Sequence, residues 1–177
     1  MSIVLRPIGY VDAALLDAIA PRVARWCRRE VRLDPRAIDP EPARDPKRHQ
    51  YHAGVLLQNL LDESNDAATD ARVLGVTGVD LFIPIFTYLF GQAQLGGRAG
   101  IFSTHRLREE FYGGGHDGDR LVARAVKEAV HELGHTFGLR HCIDPSCVMR
   151  SSTYIEEVDQ KGEDFCLACA AHLHAPT

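Results

Sequence analysis

The chain has 177 residues, of which 45% are hydrophobic and 25% charged, and its formal net charge is −4. This composition is typical of a globular protein, and the length allows one domain with a sizeable core. Because there is no basic surplus, we expect neither nucleic acid nor a membrane surface as a partner. No apolar run approaches the roughly 18 residues of a membrane span, and the first residues lack the features of a signal peptide. We therefore expect a cytoplasmic monomer.

The first half of the chain is predicted to alternate between strands and helices. Residues 3–8 have the pattern of a strand, and Asp12 is placed to cap a helix that runs to about residue 29. Residues 34–48 hold four prolines and many charges, so we expect an irregular surface loop. A second helix is predicted over residues 51–63, and residues 72–84 are predicted to form one buried strand.

The next segment is predicted to complete the sheet and then form a long helix. Residues 88–94 and 99–105 have the pattern of two strands joined by a turn, and Asp119 is expected to cap the helix. This order fits an α/β sandwich with a twisted, mostly parallel sheet. We expect residues 88–94 to be the edge strand, which either holds an extended peptide through its free backbone groups or is blunted by its neighbours.

The predicted long helix contains a metal-binding motif. His131 and His135 are four residues apart, so both imidazoles lie on one helical face, close enough to share a metal ion. Glu132 follows the first histidine, where its carboxylate can reach an attacking water rather than the metal. Gly138 can end the helix, and His141 then arrives as a third ligand. Three histidines leave one position of a tetrahedral zinc open, as in catalytic sites.

Four of the five cysteines form a second candidate site. Cys142 and Cys147 are separated by four residues, and Cys166 and Cys169 by two. Two close pairs in a cytosolic chain indicate a structural zinc site of four thiolates, with two disulfides or four ordinary thiols as the alternatives. His141 and Cys142 are adjacent, so we expect the structural zinc to hold the loop that presents the third histidine. Cys27, in the first helix, is expected to be a buried thiol.

The motif H-E-x-x-H-x-x-G-x-x-H is the metzincin signature. Together with the cysteine pattern and Met149, it makes the chain resemble the archaemetzincins, most strongly over residues 120–170. The resemblance implies a zincin-like α/β fold with an antiparallel edge strand and an active-site helix. It also implies an N-terminal subdomain over residues 1–138 and a small zinc-stabilised C-terminal subdomain over residues 139–177. Met149 would be the Met-turn residue, a hydrophobic floor beneath the catalytic zinc.

These observations predict a zinc-dependent metallopeptidase with two zinc ions, one catalytic and one structural, and a peptide or protein as its substrate. Glu132 would be the general base. The first alternative is a non-catalytic zinc protein whose cleft binds a peptide or partner. Glu132 favours the enzyme, because a purely structural site does not use such a carboxylate. The second alternative is a hydrolase of amide bonds other than peptides.

Overall fold

Two β-sheets form the frame on which the helices pack. The computed structural model describes residues 2–64 and 70–173. Its strands are β1 (Ile3–Ile8), β2 (Val31–Leu33), β3 (Arg44–Asp45), β4 (Gln50–His52), β5 (Arg72–Thr77), β6 (Leu81–Ile83), β7 (Phe86–Leu89), β8 (Gly91–Ala93) and β9 (Ala99–Ser103). Its α-helices are α1 (Ala13–Cys27), α2 (Ala53–Glu63), α3 (Gly118–Thr136), α4 (Ile155–Gln160) and α5 (Leu167–Leu173).

The larger sheet has the strand order β2-β1-β5-β9-β8. Neighbours pair in parallel except at β8, which pairs antiparallel with β9 and forms the edge. This confirms a mixed α/β fold, a mostly parallel sheet, and an edge strand within residues 88–94. The smaller sheet, β3-β4-β6-β7, was not predicted, because its strands are only two to four residues long.

The two faces of the larger sheet carry separate hydrophobic cores. Alternate residues of β1, β5 and β9, such as Leu5, Leu74 and Phe102, pack with α1 and α3 on one face. Their neighbours, such as Val73 and Ile101, pack with α2 on the other face. Because side chains alternate along a strand, a sheet covered by helices on both faces has apolar residues at nearly every position. This explains the continuous apolar run at residues 73–76.

Two predicted strands are each divided between the sheets. The segment predicted over residues 72–84 forms β5 in the larger sheet and β6 in the smaller one. Between them the chain turns, and Ser103 Oγ donates a hydrogen bond of 2.6 Å to the carbonyl of Val79. The segment over residues 88–94 is likewise divided between β7 and β8, with buried Phe90 at the junction. The second division lies inside an apolar run, so hydrophobic periodicity does not reveal it, whereas the first falls at residues 78–80, Gly-Val-Asp, which include residue types typical of turns.

The helix predictions are confirmed with changes at their ends. Asp12 caps α1, accepting a hydrogen bond of 2.9 Å from the backbone N–H of Ala14. The cap of α3 is Asp117, which accepts from the N–H of Arg120 at 2.9 Å, and Asp119 lies in the first turn. The prediction of Asp119 as the cap was therefore wrong by two residues. Among the described residues, no helix is both long and apolar enough to span a membrane.

Candidate active site and metal centres

Helix α3 positions three of the motif residues against the sheet. Its apolar face, which includes Val126, Ala129 and Leu133, packs into the core with α1 and β9, so the helix has one fixed rotation about its axis. It ends where Gly138 adopts a φ of 93°. The N–H of Gly138 donates to the carbonyl of His135, and that of Leu139 to Gly134. This is a Schellman motif, and it turns the chain back towards the helix.

The structure brings His131, His135 and His141 together. Their candidate ligand atoms all lie within 4.8 Å of one another. The Nδ1 atoms of His131 and His135 are 2.8 and 2.7 Å from the carbonyl oxygens of Val148 and Leu139. A carbonyl only accepts hydrogen bonds, so each Nδ1 carries the proton and each Nε2 is left as a free ligand atom.

The spacing of these nitrogens fits a tetrahedral zinc ion. The Nε2 atoms of His131 and His135 are 3.1 Å apart. Zinc–nitrogen bonds of 2.0–2.1 Å imply a separation of about 3.3 Å between two ligands of a tetrahedral ion. Burial, followed by the positive charge of Lys161, lowers the pKa of His131 well below its usual value. Burial also lowers the pKa values of His135 and His141. The three imidazoles are thus neutral at pH 7, which is the form that binds metal.

Glu132 is enclosed between α3 and the edge strand. The residue is only 4% exposed, and burial, reinforced by the nearby Glu128 carboxylate, raises its pKa well above the usual value. At Gly91 of β8, an added Cβ would collide with Glu132 Oε1 and lie 2.7 Å from the carbonyl oxygen of Ile101. Glycine is therefore required here, because the helix carboxylate approaches the strand backbone too closely for a side chain.

Two cavities flank Glu132 along β8. One, of about 310 Å³, extends from Glu132 and His141 towards β7 and the segment that follows Met149. The other, of about 490 Å³, lies on the side of His135 and Arg140. Gly91 and Gln92 line both cavities. The edge strand, the carboxylate and the histidine cluster thus share one continuous groove.

An ion pair that the sequence analysis missed lines the smaller cavity. Lys161 Nζ is 2.8 Å from Glu128 Oε1, and the two side chains are 1% and 4% exposed. Glu128 lies on α3 four residues before Glu132, and Lys161 follows α4. The available signal was an acidic residue on the inward face of α3, since a buried acid requires a partner. Lys161 itself is 33 positions away in the sequence and carried no signal.

The four late cysteines also come together. Their Sγ atoms lie within 4.8 Å of one another, and those of Cys142 and Cys166 are 3.7 Å apart. Two sulfurs bound to one tetrahedral zinc at 2.3 Å are about 3.8 Å apart, whereas a disulfide requires about 2.05 Å. The geometry fits one zinc ion and excludes a disulfide between these two cysteines. Cys27 is a separate buried thiol, as predicted.

Met149 lies between the two clusters. It is fully buried, and its backbone carbonyl accepts a hydrogen bond of 2.9 Å from the N–H of Cys142. A Cβ added at Gly134, the residue before His135, would collide with Met149 Sδ. The side chain therefore packs directly against the turn of α3 that carries the histidines, a position consistent with the predicted Met-turn.

The sequence of residues 36–175 matches Peptidase family M54. The chain belongs to this family. The archaemetzincin of Thermococcus kodakarensis is 36% identical over 176 residues, which are 97% of this chain and 94% of that protein. The archaemetzincin of Methanopyrus kandleri is 38% identical over 161 residues, 91% of this chain and 87% of that protein. This confirms the predicted resemblance, and the chain is a zinc metallopeptidase of the archaemetzincin type.

Two solved structures have the same fold as this chain. A zinc-dependent peptidase from Methanocorpusculum labreanum superposes with a TM-score of 0.86 at 30% identity, covering 98% of this chain and 100% of that one. The archaemetzincin from Methanopyrus kandleri gives a TM-score of 0.82 at 35% identity, covering 98% and 93%. The α/β architecture of this chain is therefore shared with both of these structures.

Proposed function

We propose that this archaemetzincin cleaves peptide bonds at the three-histidine cluster, with Glu132 as the general base and a second, structural zinc at the four cysteines. The observation that carries the proposal is the position of Glu132. Its carboxylate is buried beside the histidine cluster and faces the groove, yet it is not one of the grouped ligand atoms. A carboxylate in this position is suited to proton transfer rather than to metal binding.

His131, His135 and His141 would hold the catalytic zinc through ring nitrogens. The bound ion would lower the pKa of a water molecule to about 7 and polarise the carbonyl of the scissile peptide bond. The backbone carbonyls of Val148 and Leu139 fix the orientation of the first two rings. His141, on the loop after Gly138, is exposed and completes the set from the solvent side.

Glu132 would take a proton from the attacking water and deliver it to the leaving amine. Enclosure by Gly91 and Ile101 limits the carboxylate to a narrow range of positions. The raised pKa makes the carboxylate a better proton acceptor than an exposed glutamate, so it would take the proton of the water and pass it to the amine nitrogen as the C–N bond breaks. The edge strand β8 would align the peptide through its free backbone groups.

The cysteine cluster would hold the structural zinc and stabilise the C-terminal subdomain proposed after residue 138. Cys142 comes from the loop that also carries His141, and Cys166 and Cys169 come from the start of α5. Four thiolates fill the coordination sphere of zinc, so no position remains for a reactive water. The site would therefore fix the third histidine without taking part in the reaction.

The test is Glu132→Gln assayed on a broad peptide library, with native mass spectrometry to count zinc ions. We expect the rate to fall by about 10²- to 10⁴-fold, because proton transfer is lost, with both zinc ions retained. Glu30→Gln is the matched control, since the Glu30 side chain is 70% exposed and lies outside the groove. Cleavage by Glu132→Gln at the native rate would refute the proposed role of this carboxylate.

A further inference from the structure

Unpaired polar atoms are concentrated in the cavity between Glu132 and β7. Within the described residues, six buried side-chain nitrogen or oxygen atoms lack a hydrogen-bond partner. Two of these, Gln92 Oε1 and Ser152 Oγ, belong to residues that line this one cavity, and a third, Glu128 Oε1, lies in the same wall within ion-pair distance of Lys161. A buried polar atom without a partner costs about 1–3 kcal/mol, so such clustering indicates a site built to hydrogen-bond a ligand.

The ion pair in the cavity wall retains hydrogen-bonding capacity. Lys161 Nζ lies 2.8 Å from Glu128 Oε1, which is an ion-pair distance, although the angles of this contact are not those of a hydrogen bond. The only other polar contact of the ammonium among the described residues is a long one, 3.4 Å, to the carbonyl of Arg150. The pair thus offers an acceptor on the carboxylate and a donor on the ammonium, side by side.

The rest of the cavity wall is largely apolar and suits the methylene groups of a substrate side chain. Ile83, Phe86, Leu89 and Phe90 contribute apolar side chains. Tyr88, on the same strand as Phe86, donates a hydrogen bond of 2.6 Å to the carbonyl of Thr153 and connects β7 to the opposite wall. The cavity therefore offers a substrate side chain both apolar contacts and the ion pair.

The chemistry of the pair distinguishes between side chains. An aliphatic side chain would leave the acceptors unpaired. A second ammonium would face Lys161 and a second carboxylate would face Glu128, each a repulsion between like charges in a buried site. A carboxamide has an N–H₂ for the carboxylate and a C=O for the ammonium, and it adds no charge.

We propose that this cavity selects a glutamine side chain on one side of the scissile bond, with Glu128 and Lys161 as the specificity-determining residues. Asparagine would satisfy the same groups but has a stem shorter by one methylene. The inference rests on the proposed peptidase function, and it adds the class of substrate that this site prefers.

The experiment uses a peptide series that differs only at the two positions flanking the scissile bond, with glutamine, leucine, glutamate or lysine there. We expect kcat/KM for the glutamine peptide to exceed that for the leucine peptide by about 10- to 100-fold at one position. The same series titrated calorimetrically into Glu132→Gln should show the same order of affinities. Binding therefore reports the preference independently of cleavage.

The decisive variant replaces the pair with apolar residues, Glu128→Leu with Lys161→Met. A single substitution would leave a buried charge unpaired and threaten folding, whereas replacing both partners is often tolerated. The double variant should reverse the preference in favour of leucine. Lys127→Met is the matched control, because Lys127 also connects α3 to α4, through the carbonyls of Val158 and Asp159, but lies outside the cavity. The Lys127→Met variant should keep the native preference for the glutamine peptide over the leucine peptide.

Two results would overturn the inference. The first is a native protein that binds and cleaves the leucine peptide as well as the glutamine peptide. The second is a double variant that keeps the glutamine preference. Loss of cleavage with a preserved binding preference would instead count against the proposed peptidase mechanism and leave the specificity assignment intact.

Discussion

The histidine and cysteine clusters are neighbours in the chain, yet their surroundings differ. The histidine cluster opens onto a groove, has an exposed member in His141, and lies beside the enclosed carboxylate of Glu132. The cysteine cluster lines neither of the two cavities in that groove and has four potential ligands. The surroundings of a zinc site therefore decide its role. A coordination position left open beside a general base allows zinc to act in a reaction, whereas four thiolates fill the coordination sphere and leave only a structural role.

The largest effect on the rate is expected for His135→Ala, which tests the histidine cluster as the catalytic zinc site. Removing one of three ligands should release the catalytic zinc, so the rate should fall further than in Glu132→Gln, by more than about 10²- to 10⁴-fold. Native mass spectrometry should then count one zinc ion instead of two. His116→Ala is the control, because His116 is exposed and, among residues 2–64 and 70–173, pairs only with Glu110, at 2.8 Å. Full zinc occupancy in His135→Ala would contradict the assignment.

Cys169→Ser tests whether the cysteine cluster supports zinc binding at the histidine cluster. We expect loss of the structural zinc and a lower melting temperature. Because Cys142 adjoins His141, zinc affinity at the histidines should also fall, by about 10- to 100-fold, the usual scale for groups that support metal ligands. Competition with a chelator of known affinity measures this change. Cys27→Ala, at a cysteine outside the cluster, should keep both zinc ions. Native affinity in Cys169→Ser would show that the two sites are independent.

Gly134→Ala tests the packing between the clusters. The added methyl would collide with Met149 Sδ and lie 3.3 Å from Phe165 Cε1. Overpacking of this kind costs about 1–3 kcal/mol, which urea denaturation would report as a lower free energy of unfolding. Gly115→Ala is the matched control, since a Cβ there meets no atom within 4 Å. Equal stability of the two variants would mean that Met149 moves aside freely.

The smallest effect at neutral pH concerns Cys27, the thiol outside both clusters. Burial raises its pKa from 9.0 to about 12, so the folded protein keeps the proton that the unfolded chain releases above pH 9. The free energy of unfolding should therefore decrease by about 1 kcal/mol per pH unit between pH 9 and 12, relative to Cys27→Ala. The measurement is urea denaturation of both proteins across this range. Parallel pH profiles for the two proteins would rule out this contribution.

The sequence predicted which side chains come together in the two clusters better than how the strands divide between the sheets, for a physical reason. A helix fixes the relation between His131, Glu132 and His135 locally, so their spacing alone predicts the cluster. The division of residues 72–84 depends instead on contacts with distant Gln50 and Arg106, whose side chains hold Asp80 at 2.8 and 2.7 Å. Hydrophobic periodicity gives no information about such long-range contacts.

The ion pair was missed for the same reason. Glu128 and Lys161 meet only after α4 has packed against α3, through the Arg124–Asp159 hydrogen bonds of 2.7 and 2.6 Å. By contrast, the four cysteines were predicted without any local geometry, because the residue type itself limits the alternatives. The grouping of residues is thus predictable from sequence where residue type or a single helix sets the arrangement, and it is not where tertiary packing does.

The position of Cys166 and Cys169 gives protein synthesis a role in timing the activity. A ribosome releases residues in order, so the sheets, α3 and all three histidines emerge before these two thiols. If the cysteine zinc fixes His141, as proposed, the enzyme acquires a rigid active site only when the last helix has left the exit tunnel. A nascent chain of this design would therefore lack a rigid active site until Cys166 and Cys169 are available to bind zinc.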